Sequence, residues 1–386
     1  METPLLHRQL MTQLRQWVTP KDQRHLQGFA EIVAAILLSE SACFSKWLPY
    51  LGHRSCGARA HLERLSYFVH NEHITAERFY VPLLRQALQA FQGQAVTLAL
   101  DTSLLWNQFC LIEVCLLWGG RSFTLAQSVI EHGSATVGFE TYQSVLVAAK
   151  AVLPPDCAVT LLADRGFEHG ELMRCLQQPE WGWDWLIRAK RDLSVTLSTG
   201  HTTCVEDLLP APPQAHLFPQ VTVIEDIPCH LATAQLPEVE EPWAVLSSQP
   251  PSLQTFTLYG RRFGGIEPHF KDYKSGAFQV LDSGLREAAA LTRLFMVLDS
   301  AMLIALIVGL LLVQNQQRSQ FDWHSQRGLS FLQLGIRDIA RRCYERIALP
   351  LLKALPSKSP PTACASRRKQ AQLDGRFEFD KVIVFS

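Results

Sequence analysis

Three carboxylates stand out in this 386-residue chain for the company they keep. Asp101 ends the apolar run Val96-Thr-Leu-Ala-Leu, and Asp164 ends Ala158-Val-Thr-Leu-Leu-Ala. Each run reads as a short buried strand with an acid at its end. Glu267 lies in Gly264-Gly-Ile-Glu-Pro-His-Phe-Lys-Asp-Tyr-Lys-Ser-Gly-Ala-Phe, which reads as the start of a helix. Lys271 and Lys274 follow Glu267 at helical spacing and share its face, while Ile266, Phe270 and Tyr273 form a face that can be buried. Two aspartates and a glutamate offer hard oxygen donors, the set that suits two Mg²⁺ or Mn²⁺ ions. Two such ions about 4 Å apart can hold the attacking and leaving oxygens of a phosphodiester in line. Asp101 would bridge both ions, Asp164 and Glu267 would each take one side, and Lys274 would meet a phosphate near the scissile bond.

Each of these residues also has an ordinary reading. An acid with two lysines is often a solvated patch, Asp-Thr-Ser after a strand is often a cap, and Asp-Arg-Gly is a common turn. Asp156, eight residues before Asp164, is expected in an exposed loop and outside the site.

The elements that must position these acids follow from periodicity. Residues 1–94 read as helices throughout, with six histidines and ten Lys/Arg interleaved. They suit either a DNA-binding bundle or a helical cap on a larger domain. From residue 96 the pattern turns to period two. Strands are expected over 96–102, 109–118 and 122–130, with Gly119-Gly120 as a hairpin turn. A helix over 139–152, a strand over 158–163, a helix over 168–176 and a strand over 185–190 complete the series. Three meandering strands, helix, strand, helix, strand is the order of the ribonuclease H-like fold. There the first and fourth strands lie side by side, which would bring Asp101 close to Asp164.

Residues 192–258 then interrupt that order as a β-rich insertion with strands near 221–224, 230–234 and 243–248, and helix returns at Ile266. The domain plan is thus a helical DNA-binding domain over 1–94, a catalytic core over 95–191 and 259–350, the insertion over 192–258, and a basic C-terminal tail over 351–386. That tail, with Arg367-Arg368-Lys369, reads as a mobile arm.

Formal net charge is zero, yet it is unevenly spread. No Lys or Arg falls between Arg191 and Arg261, where eight acids do, so an acidic module offsets a basic remainder. Ten single cysteines without a Cys-x-x-Cys motif argue for a reduced, cytoplasmic protein and against a structural zinc site. Residues 301–313 are wholly apolar, but Asp299 interrupts the longer run, leaving it short of the ~20 residues that span a bilayer. A buried core helix and no membrane partner are expected.

The blocks Leu98-Ala-Leu-Asp101-Thr, Leu162-Ala-Asp164-Arg-Gly-Phe and Ile266-Glu267 with Phe270, Lys271 and Lys274 resemble those of bacterial insertion-sequence transposases with a DDE triad. The nearest subgroup has a β-rich insertion before the glutamate and a Tyr-Arg-Glu-Lys signature around it. The resemblance implies that Asp101, Asp164 and Glu267 are catalytic metal ligands. It also implies that Lys274, Lys271, Arg262, Tyr259, Arg165 and Trp243 contact DNA, Trp243 by holding a displaced base. Tyr259 and Arg262 each lie one residue further from the glutamate than the signature expects. The Gly264-Gly265 pair is where the extra residue would be absorbed, and Arg261 competes with Arg262 for the role. For Trp243, a place in the core at a strand end is an equally good reading. The implied activity is cleavage of an element's ends and joining to target DNA. Double-stranded DNA, both terminal inverted repeats and target, would be the partner, with a homodimer in the complex, a hairpin intermediate, and nucleoid association in the cytoplasm. A nuclease of the same fold and an inactive DNA-binding remnant are the rival readings.

Overall fold

The computed structural model describes residues 5–52, 56–236, 241–364, 366 and 379–385. The N-terminal part is helical, as the periodicity predicts: α1 (Leu5–Leu14), α2 (Gln23–Ser39), α3 (Phe44–Trp47), α4 (Ala58–His70), α5 (Ala76–Phe79) and α6 (Val81–Leu88). Asp22 caps α2 by accepting from the Arg24 N–H.

Strands then follow in the expected order: β1 (Ala95–Leu105), β2 (Phe109–Trp118) and β3 (Arg121–Glu131). Gly119 and Gly120 have φ of 64° and 73°, the left-handed pair that a tight hairpin requires. Helix α7 (Phe139–Val152) crosses back to β4 (Ala158–Ala163), and α8 (Gly170–Gln177) leads to β5 (Asp184–Arg188). β1 pairs in parallel with β4, so the first and fourth strands are adjacent.

The stretch expected as a separate insertion is an extension of this same sheet. β6 (Ser194–Thr196), β7 (Thr202–Cys204), β8 (Gln214–Val223), β9 (Ile227–Gln235) and β10 (Trp243–Ser247) continue from β5. The strand order is β3-β2-β1-β4-β5-β10-β9-β8-β6-β7. Because β10 bonds antiparallel to β5 along Leu186–Arg188, the sheet passes from one part to the other without a break.

Helix α9 (Leu253–Lys271) lies across one face of this sheet. It begins thirteen residues before the return of helix expected at Ile266, because Ser252 and Thr255 form a reciprocal cap. Its first half packs Phe256 and Tyr259 on Leu186 of β5 and on Ala232, Trp243 and Val245 of the extension. Its second half sets Ile266 on Ala99 of β1 and Cys115 of β2. A π turn over Asp272–Gly276 follows.

Helix α10 (Ala288–Gln314) is long and apolar enough to cross a membrane by composition, but 94% of its most apolar window is buried. It packs on β3, α2, α4 and α11 (Phe331–Glu345). One apolar cluster runs from Leu6 through Phe29, Leu98 and Leu303 to Leu355, so the N-terminal helices share a core with α10.

The tail is not a free arm where it is described. Leu352 and Leu355 are buried, and β11 (Lys381–Val384) pairs in parallel with β8. Apolar side chains in that tail supply the reason. The basic run at 367–369 lies outside the described residues.

Candidate active site

The register of the central strands decides the placement of the two aspartates. β1 and β4 pair from Ala95↔Ala158 to Leu100↔Ala163, and the next residues in both strands are Asp101 and Asp164. Adjacent strands lie about 4.8 Å apart, so the two carboxylates start from neighbouring positions where the pairing ends. β4 stops there, and Asp164 caps a short turn by accepting from the Gly166 N–H at 2.7 Å. β1 does not stop. It runs on to Leu105, so Asp101 sits inside a strand, opposite Glu113 of β2, and not at its end as expected.

Both aspartates converge on one cation, Arg262 of α9. Its Nη2 lies 2.6 Å from Asp101 Oδ2 and 3.8 Å from Asp164 Oδ2. Arg262 is buried, at 5% exposure, and Asp101 is nearly so. Burial raises the Asp101 carboxyl to about 6, against the pull of Arg262, with Asp164 and Glu267 adding to the rise. For Arg262, burial pulls the guanidinium down, but Asp101, Tyr259, Asp164 and Glu267 together hold it above its ordinary value. Arg262, expected to touch DNA, is thus the counter-ion of the aspartate pair in this conformation.

Glu267 is on the same helix but faces solvent. At 3.6 residues per turn, five residues separate its direction from that of Arg262 by roughly 140°. α9 is unbroken through Gly264 and Gly265, so the glycine pair absorbs no extra residue. Gly265 instead allows a close approach to the sheet. A Cβ there would come within 2.4 Å of Leu117, and the Gly265 carbonyl accepts from the Ser122 hydroxyl. The position four after Arg262, which shares its stripe, is Ile266. Glu267 remains close enough for its charge to act on both Asp101 and Arg262. Pro268 follows it and lacks the N–H of a regular turn, so the backbone beside Glu267 is held by fewer bonds.

The remaining expected contacts divide. Lys271 is exposed, and Lys274 is half-buried on the π turn, where burial lowers its ammonium. Neither makes an ion pair among the described residues. Arg165 lies at the rim and pairs with Glu241 at 2.6 Å, as does Arg188 at 2.8 Å. Arg261 is exposed on the outer side of α9. Tyr259 and Trp243 are buried at 1% and 3%, with ring centroids 5.8 Å apart, so neither offers a face to DNA here. Their place is the core between α9 and the extended sheet, where large aromatic area is best used. Asp156 is exposed, as expected.

Sequence reasoning missed a second polar cluster on the same face of the sheet. Glu113 and Cys115 of β2, Thr124 of β3, His269 and Tyr273 after Glu267, and Asp299 of α10 are all buried. Tyr273 donates to Glu113 at 3.0 Å and also contacts Asp299. His269 Nε2 lies 3.5 Å from Glu113 Oε2 and 3.1 Å from the Thr124 hydroxyl. Signals were present in the sequence: Glu113 inside an otherwise apolar strand and Asp299 inside an apolar helix.

No protein-family model matches the chain, and no curated protein matches it. Among solved structures, the chain is similar to a piggyBac transposase synaptic complex with hairpin DNA. The two share 11% identity over 95% of this chain and 87% of the other, with a TM-score of 0.44.

Proposed function

We propose that this chain is a DNA transposase of the DDE type on a ribonuclease H-like core. The observation that carries the reading is the register of β1 and β4, which sets Asp101 beside Asp164 at the point where their pairing ends. Ligand sites of open sheets with parallel strands lie in just such a crevice. The sequence blocks around the three acids add to it.

The donor chemistry fits a divalent cation. Two carboxylate oxygens already converge on one positive group, Arg262. Asp101 and Asp164 would hold Mg²⁺ or Mn²⁺, with Glu267 reaching in from α9 to complete a two-ion site. When bound, such ions neutralise phosphate charge and activate an oxygen for in-line attack. The chain's own contribution is placement: β1 and β4 fix the aspartates rigidly. Arg262 must leave Asp101 to admit a cation, and once released it can meet a phosphate. Lys271, Lys274 and Arg165 stand at the rim for the same purpose. In this reading the helices of residues 1–94 bind double-stranded DNA at the element's ends, a homodimer holds two ends and target DNA, and the work is done on the nucleoid in the cytoplasm.

One observation favours a second reading. The unbroken helix between Arg262 and Glu267 turns the third acid away from the aspartates. That arrangement suits an inactive DNA-binding remnant.

The test uses full-length chain and DNA carrying the flanking inverted repeats. Asp101→Asn and Asp164→Asn are expected to abolish Mn²⁺-dependent nicking and joining and to reduce Mn²⁺ binding. DNA binding should persist or tighten, because a charge that repels phosphate is gone. Glu267→Ala is expected to do the same. Nicking that survives Glu267→Ala would move the third ligand elsewhere. A wild-type chain that shifts DNA but never nicks it would establish the remnant.

A further inference from the structure

We infer that Glu113, Cys115 and His269 form a buried zinc site that pins α9 to the sheet. Their donor atoms all lie within 4.8 Å of one another, and all three side chains are fully buried. The Sγ of Cys115 is 3.9 Å from Glu113 Oε2, and His269 Nε2 is 3.5 Å from the same oxygen. Zinc bonds of about 2.0–2.3 Å in a tetrahedron put neighbouring donors about 3.3–3.8 Å apart. Small side-chain shifts therefore close the cluster on one ion. Thiolate, imidazole and carboxylate together select a borderline ion such as Zn²⁺ or Co²⁺ over Mg²⁺.

Asp299 supplies the second, independent observation. It is 2% exposed, and its Oδ2 has no hydrogen-bond partner. The other oxygen accepts from Thr124 at 3.0 Å and is joined to Glu113 through the Tyr273 hydroxyl. An orphaned polar atom in an apolar interior is costly unless something binds it, so the polar cluster around the three ligands is one partner short. Asp299 also lines a cavity of about 680 Å³ between α6, β3 and α10. Burial, with Glu113 adding to it, raises both the Cys115 thiol and the Asp299 carboxyl. For His269, burial pulls the imidazole down, but Glu113, Asp299 and Asp272 together raise it. An ion bound there would displace the Cys115 thiol proton, which leaves to solvent.

The site shares no residue with the aspartate pair, although Glu113 stands opposite Asp101 on the neighbouring strand. His269 lies two residues past Glu267, so the ion fixes the part of α9 that carries the third acid. The test is made on full-length chain purified with ZnCl₂ and gel-filtered. One zinc per chain is expected, a strong chelator should lower Tm, and zinc added back should restore it. Cobalt replacement should give the intense thiolate charge-transfer band of tetrahedral cobalt. Cys115→Ser should lose that band while Asp101→Asn keeps it, which separates this site from the proposed catalytic one. If Cys115→Ser does not fold, the wild-type cobalt spectrum and the chelator effect decide alone. A chain without stoichiometric zinc and with unchanged Tm under chelation would overturn the assignment. So would a cobalt spectrum lacking the thiolate band, which would mean an adventitious ion only.

Discussion

Arg262 is the residue on which the site turns. Its guanidinium stands between two acids that would otherwise repel each other where the parallel pairing of β1 and β4 ends. Removing one partner of a buried pair leaves the other charge uncompensated. Arg262→Met is therefore expected to destabilise the metal-free chain by about 3 kcal/mol, measured by denaturant unfolding. Mn²⁺ should raise the Tm of Arg262→Met by more than that of the wild type, since the ion replaces the missing cation and no longer competes with Arg262. An equal rise in both would show that Arg262 does not compete with metal. The sequence places this residue near the acids only through its neighbours in a signature. Its side-chain direction follows from the helix being unbroken, which neither spacing nor composition reveals. The same applies to Tyr259 and Trp243: aromatics of equal type serve a DNA surface or a core, and only the packing partners distinguish the two.

At the scale of elements, local signals are good guides where one element decides its own ends. The Gly119-Gly120 hairpin, α7 between Phe139 and Val152, and β4 between Ala158 and Ala163 all lie where turn residues and periodicity put them. The start of α9 is hidden because it depends on a cap at Ser252, ahead of a stretch with weak helix propensity around Gly260 and Gly264-Gly265. The merging of the 192–258 strands into the central sheet is not legible either, because strand pairing between distant segments leaves no mark in either segment. Close helix contact is equally hidden. Gly309 of α10 and Gly335 of α11 let the two helices touch backbone to backbone: a Cβ at Gly309 would lie 1.9 Å from the Phe331 carbonyl oxygen, and one at Gly335 1.7 Å from that of Ala305. Overpacking a rigid contact typically costs about 1–3 kcal/mol, and backbone yields less readily than side chains. Gly335→Ala should therefore lower stability by at least about 3 kcal/mol by chemical denaturation, whereas Gly264→Ala, with nothing within 4 Å, should stabilise α9 or leave it unchanged. A harmless Gly335→Ala would mean that the α10–α11 crossing is looser than described.

Across the whole molecule, the two ends of the chain are knitted together. Gln13 of α1 donates to the Pro350 carbonyl and accepts from the Leu352 N–H, and Gln9 accepts from the Leu349 N–H. Further along, Leu355 donates to Ala87, and Trp118 donates to the Pro356 carbonyl. The tail then crosses the hairpin, where Ser359 accepts from Gly119, before β11 pairs with β8. So the tail is both a strap of the fold and the carrier of a basic run, and these roles separate by position. Deleting residues 349–386 uncovers Trp118 and the α1 face and removes the buried Leu352 and Leu355, each worth roughly 1.5–3 kcal/mol of burial. That truncation is expected to be strongly destabilised or insoluble. Replacing Arg367, Arg368 and Lys369 together with Ala should leave Tm unchanged. If the run meets phosphate, the triple change should weaken DNA binding and lower the slope of log K against log salt by up to about three charges' worth. An unchanged slope would exclude the run from the DNA contact. A fall in Tm would show that it belongs to the strap instead.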